Sequence, residues 1–242
     1  MWIRRLRRTV VAILGLGLLL GSPAHAQNSP EAQRVFDRAR LAMGGPAAWN
    51  ALRGLHETGK VAGRPYHRWV DPLRYGIRTE THLPEGLFVE AYNGAGEWRI
   101  LPDGIVTGSV EREVMAEVRS DAFFGAYGYF FPSRFDLRST HEGVRQAGGR
   151  SFDVLRVQPA GGEPRDLWFD RGTGLLGFVI DETGPKQGRT ELMDYRRVGQ
   201  VLIPFRAVAH GGGRPRGEER VLERIVFPTA DRNLFSLPPP GS

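Results

Sequence analysis

The side chains that could carry acid–base, nucleophilic or metal chemistry are scattered along this sequence and form no recognised constellation. No cysteine occurs in its 242 residues, which excludes thiol nucleophiles, disulfides, Cys-ligated zinc and iron–sulfur clusters. The zinc-protease pattern H-E-x-x-H, the nucleophile elbow G-x-S-x-G and the phosphate-binding loop are all missing. His56, His67, His82, His141 and His210 never stand at i, i+4, so each reads as a surface or strand histidine rather than a metal ligand. Gly172-Thr173-Gly174 has the look of an aspartic-protease turn, but the residue before Thr-Gly is glycine rather than an acid. Asp170 fits better as the opening residue of a tight turn. Glu90, Asp166 and Glu191 fall in strand-like segments, where the solvent face is their expected place. A glycosidase reading would depend on how far apart two such acids come in space. No catalytic residue, cofactor or metal is therefore expected.

Binding chemistry is better represented. Phe123-Phe124-Gly125-Ala126-Tyr127-Gly128-Tyr129-Phe130-Phe131 is dense in rings, is loosened by two glycines and ends at Pro132. Aromatic residues dominate protein cores, so this segment reads either as a plug for one end of the core or as an apolar lid over a cavity. In the second reading Phe123, Phe124, Tyr127, Phe130 and Phe131 gate a greasy ligand, and Trp69, Tyr75, Trp98 and Trp168 extend the lining from the strands. Arg74, Arg78 and Arg99 are candidates to meet an anionic headgroup at the rim. Strand alternation puts the same three arginines on a polar face, where plain solvent exposure is the competing reading.

The elements that must position these residues begin after an export signal. Arg4, Arg5, Arg7 and Arg8 precede the apolar stretch Val10–Leu20, and Ser22-Pro23-Ala24-His25-Ala26 supplies a small-x-small cleavage site. Residues 1–26 are thus expected to be removed, leaving a single domain over 27–242 whose Pro-rich tail, 234–242, runs along the surface or is loose. A retained anchor is the other reading, but the apolar stretch falls short of the roughly 18 residues that a spanning helix needs. The ordinary secretory route fits better than the twin-arginine route. Without a cysteine to acylate, the signal is not that of a lipid-anchored protein. Localisation is expected to be periplasmic or secreted. Removing four arginines from 33 basic residues leaves 29 against 27 acids, a net charge of +2. The remaining arginines interleave with acids, as in Asp194-Tyr195-Arg196-Arg197, so no nucleic-acid stripe is present.

Ser29 can cap a helix that Pro30 opens, with Ala32, Val35, Phe36, Ala39, Ala42 and Met43 on one face and Gly44-Gly45 as its stop. Pro46–Leu52 reads as a short second helix carrying Trp49. From Leu55 the period falls to two. Strands are expected at 73–80, 87–92, 97–100, 154–157, 166–170, 175–181, 190–197, 202–210 and 221–227, with a helix at 110–119 whose stripe is Val110, Val114 and Val118. Large apolar groups on both faces of several strands require cover on each side. The composite is a mainly β (α+β) fold of roughly ten antiparallel strands in a strongly curved sheet, with an N-terminal helix and a mid-chain helical and aromatic lid.

Four stretches carry a family likeness: Ala39–Gly45 through Trp49 and Leu52 to Gly54-Leu55 and Gly59; Leu167-Trp168-Phe169-Asp170 with Thr173-Gly174-Leu175-Leu176; Asp194–Gly199 with Leu202-Ile203-Pro204; and Asn233–Pro238. In this order they resemble the outer-membrane lipoprotein-sorting (LolA/LolB-like) superfamily of periplasmic carriers. The resemblance implies an unclosed antiparallel β-barrel with helices as a lid, and a cavity for acyl chains of lipid or lipoprotein. Ligand-contact residues do not transfer, because no recognisable motif carries them here. Three functions stay in play: a carrier of lipid or acylated lipoprotein, in transient contact with envelope membrane proteins; a non-catalytic scaffold with a filled barrel; and a hydrolase with inward acids.

Overall fold

The computed structural model describes residues 28–131, 133–182, 187–211 and 214–237. The expected signal segment and the last residues of the tail, 238–242, lie outside the described residues. Helix α1 (Pro30–Ala42) begins as its residues dictate: Ser29 Oγ accepts the Ala32 amide at 3.2 Å, and Ala32, Val35, Phe36 and Ala39 are buried. Helix α2 (Pro46–Ala51) carries the fully buried Trp49, whose Nε1 donates to the Met43 carbonyl at 3.1 Å. Gly44, at φ +121°, lies so close to the turn before Val201 that a Cβ would come within 2.2 Å of the Gln200 carbonyl oxygen.

The strands form two meanders. The first runs β1 (Leu55–Val61), β2 (Arg64–Asp71), β3 (Gly76–Leu83), β4 (Gly86–Tyr92), β5 (Glu97–Ile100) and β6 (Val106–Ser109). The second runs β7 (Leu137–Ala147), β8 (Arg150–Pro159), β9 (Arg165–Asp170), β10 (Leu176–Asp181), β11 (Gly188–Val198), β12 (Val201–Gly211) and β13 (Arg214–Val226). Antiparallel pairing of β1 with β13 joins them into one sheet of 13 strands, which runs from β6 at one edge to β7 at the other. The edges do not pair, so the barrel stays open. At the seam the register shifts between Thr58 and Gly59, where a Cβ on Gly59 would come within 2.1 Å of the Val221 carbonyl oxygen.

The chain passes from one edge to the other through α3 (Arg112–Gly125), which packs on β3 and β4 on one side and on β8 on the other. It therefore lies across the mouth of the open barrel. The mid-chain helix starts later than the sequence suggests and runs into the aromatic segment. Val110 is left outside it and fully exposed rather than on an apolar stripe. The strand expected at 73–80 begins at Gly76, because Tyr75 takes a left-handed φ of 65° in the preceding turn. β2, β6 and β7 carry too many polar or glycine residues to stand out in the sequence.

Register assigns every strand residue a face. Leu155, Leu167, Val179, Thr190 and Ala209 are aligned across five strands on the concave side, as are Glu57, Arg68 and Thr79 across β1 to β3. The main core lies inside this concavity, where α1, α2 and the aromatic segment fill it from one end. The tail is not loose as far as Phe235. That ring is buried, and its carbonyl accepts from Trp98 Nε1 at 3.1 Å on the convex face.

Candidate ligand cavity

Part of the concave interior stays empty. A cavity of about 300 Å³ is walled by Ile77, Phe124, Leu167, Leu176, Val179, Leu192 and Pro204, and its polar lining includes Arg68, Thr79, Asp121, Tyr127, Arg165, Thr190 and Arg220. A second space of about 310 Å³ shares Arg68, Thr79 and Arg220 with it and continues past Tyr66 and Phe88 toward Val61 and Glu218. The interior is therefore an amphipathic trough, more polar than an aromatic-lined slot.

Two buried ion-pair groups fix its polar walls. Arg68 clasps Glu57 with Nε to Oε2 at 2.8 Å and Nη2 to Oε1 at 2.6 Å, and the Tyr66 hydroxyl donates to the same carboxylate at 3.3 Å. Burial alone would raise the Glu57 carboxyl. The charges of Arg68 and Arg220 and the donated hydrogen bonds outweigh it and hold Glu57 below the ordinary glutamate value. Across the trough Arg165 donates to Asp121 at 2.5 Å and to Asp181 at 3.1 Å, and its guanidinium lies 5.0 Å above the Phe124 ring. Burial pushes the Tyr127 and Tyr129 phenols well up, so both remain hydrogen-bond donors at any ordinary pH.

The candidate lid residues separate. Phe124 and Tyr127 line the cavity. Phe123, Phe130 and Phe131 are core residues with at most 2% of their surface exposed, and Trp49 packs 5.1 Å from Phe130 and 6.5 Å from Phe131. Tyr75 packs, with its ring tilted, against Phe135 and Phe123 at the core margin. The three tryptophans lie on the other side of the sheet, away from the cavity they were expected to line, because each is out of phase with the inward residues of its strand. Trp69 stacks on His56, Trp98 lies beneath Arg78, and Trp168 packs against Phe152 and Phe178. Nor do the rim arginines gather at one mouth. Arg74 pairs with Asp71 at a turn, Arg78 with Glu80 on the convex face, and only Arg99, paired with Glu97, borders a small side pocket next to Asp121.

The polar groups that line the trough, Arg68, Asp121, Arg165 and Arg220, and Glu57 behind Arg68, escaped the sequence reading. A signal existed in β1 and β2. Glu57 is in phase with Leu55, and Arg68 with Tyr66 and Val70, so a charge at an inward position marked each. Among the described residues the scattered acids and histidines have separate partners. Asp166 pairs with Arg156, Asp170 Oδ1 accepts the Gly172 and Thr173 amides, and His141 contacts Asp153. His56 Nε2 and His67 Nδ1 stand 3.4 Å apart on the convex face. Among the described residues no three or more His, Asp or Glu side chains are placed to hold a metal, and no helix is long and apolar enough to cross a membrane.

An open antiparallel barrel with a helix across its mouth and an amphipathic trough within belongs to a class of cavity-bearing, lid-covered folds. The chain is similar to a putative outer-membrane lipoprotein-sorting protein domain from Vibrio parahaemolyticus, with 15% identity, a TM-score of 0.54, and coverage of 84% of this chain and 94% of that one. It is similar to a LolA superfamily protein from Nitrosomonas europaea, with 11% identity, a TM-score of 0.54, and coverage of 85% and 97%. A DUF1329 family protein from Desulfovibrio piger matches at 13% identity and a TM-score of 0.50, over 81% and 92%. The chain thus shares the fold of these solved structures, as the sequence motifs suggested. No protein-family model and no curated protein matches the sequence.

Proposed function

We propose that the protein is an exported, non-catalytic carrier that holds acyl chains of lipid or lipoprotein in the trough beneath α3. The observation that carries this reading is the empty concave space of about 300 Å³ with Leu167, Leu176, Val179 and Leu192 along one wall. Each methylene transferred from water to such a wall contributes about 0.8 kcal/mol, so a long chain binds with few polar contacts. The likeness to lipoprotein-sorting structures supports the reading through fold alone. The signal-like segment supports a periplasmic address, with mature protein starting near Gln27, and acylated cargo implies passing contact with envelope membrane proteins.

The filled-barrel scaffold keeps one observation in its favour: Phe123, Phe130 and Phe131 plug the interior instead of gating it. Mass spectrometry of solvent extracts from periplasm-purified protein separates the two. Stoichiometric lipid, fatty acid or acylated peptide is the expected result. A clean extract, followed by no uptake of a fluorescent fatty acid, would select the scaffold.

A further inference from the structure

The trough contains a polar locus that the fold leaves uncommitted. Several of its charged and hydroxyl groups are engaged: Arg68 with Glu57, Arg165 with Asp121 and Asp181, and Tyr66 with Glu57. Arg220 is not. It borders both parts of the trough, and it makes no ion pair among the described residues. Its charge acts on Glu57 and Tyr127. Tyr127 and Tyr129, 8% and 2% exposed, line the same cavity, and neither hydroxyl has a hydrogen-bond partner among the described residues. Both residues line the cavity, and a guanidinium beside a free hydroxyl calls for an anionic oxygen.

We infer that the cavity takes a single-chain amphiphile with an anionic oxygen head, a carboxylate or a phosphate monoester, bound head-inward. The head lies against Arg220 with Tyr127 donating to it, and the chain runs along Leu176, Val179 and Leu192. This rests on the carrier reading and reverses the orientation that rim arginines would impose. Glu57 does not repel the head, because Arg68 already neutralises it through two hydrogen bonds. The space, about 300 Å³, falls at the lower limit of ordinary ligand pockets, which suits one chain better than several.

The test is calorimetric titration of delipidated, signal-cleaved protein with laurate, dodecyl phosphate and dodecanol. Charge-assisted hydrogen bonds set the expectation: one or both anions bind about ten- to a hundred-fold more tightly than the alcohol, and the tighter of the two identifies the head chemistry. Arg220→Leu should abolish that preference, read as the ratio of anion to dodecanol affinity. Arg220→Lys should retain most of it, and Tyr127→Phe should weaken the anions alone by several-fold. Equal binding of all three ligands by the unaltered protein, or an anion preference that survives Arg220→Leu, overturns the head-inward assignment and leaves the carrier reading standing. Failure of every ligand to bind removes the carrier reading, and this inference with it.

Discussion

The aromatic segment runs through two regions of the concave interior that could hardly differ more. At its end, Phe130 and Phe131 close on Trp49, and Tyr129 stacks between Phe36 and Phe130. Three to seven residues earlier, Phe124 and Tyr127 face empty space with charges around it. Both regions draw on one stretch of chain and one sheet. What separates them is the covering: α1 and α2 supply apolar side chains over the first, whereas strands β1, β2, β9 and β13 bring buried charges to the second. The plug fills one end of the open barrel and the trough beside it stays empty, so composition alone did not reveal which rings did which task.

Substitutions should separate the regions in size and in kind. The largest effect is expected in the plug. Phe130→Ala removes a ring that is 1% exposed, and deletions of this type cost about 3–5 kcal/mol. Urea melts should show that loss, with no change specific to any ligand. A cost below about 1 kcal/mol would mean that the plug is loosely packed and differs little from the trough.

In the trough, Glu57→Ala leaves the Arg68 guanidinium buried without its carboxylate. Breaking such a pair from one side costs about 3 kcal/mol, because the orphaned charge stays desolvated. Glu57→Gln keeps the shape and should cost less. The same pair predicts an acid limb. Glu57 is held below its ordinary value of 4.5, so its contribution is complete above that value and declines as pH falls through the depressed folded value. Stability measured between pH 6 and pH 3 should therefore fall less steeply in Glu57→Gln than in the unaltered protein. Parallel acid limbs in the two proteins would show that the carboxyl is not depressed.

Where the sequence was legible, local physics decided the outcome. The cap at Ser29, the buried stripe of α1, the stop at Gly44 and the turn that Asp170 opens all appear as expected. So does the curved antiparallel sheet with a helix across it. The face of each tryptophan was harder to read. Trp69, Trp98 and Trp168 each lie on a strand with large groups on both faces, and only pairing register tells which face turns inward. The pair of Arg165 with Asp121 joins β9 to α3 across 44 residues, and no spacing rule reports such a pair.

The smallest effect is the most discriminating. Phe124 is partly exposed to the cavity, and its face carries the Arg165 guanidinium at 5.0 Å. A cation–π contact of that kind contributes about 0.5–1 kcal/mol, and Arg165 keeps both carboxylate partners without it. Phe124→Ala should therefore cost the fold about 1 kcal/mol, a fraction of the loss at Phe130, although both side chains are phenylalanines of one segment. It also widens the trough on its apolar side, so laurate should bind several-fold more weakly while the preference for laurate over dodecanol persists, since Arg220 and Tyr127 are untouched. Equal destabilisation by Phe124→Ala and Phe130→Ala would make the whole segment a plug. A loss of head preference in Phe124→Ala would show instead that the ring positions the anion, which would extend the polar locus onto the α3 side of the trough.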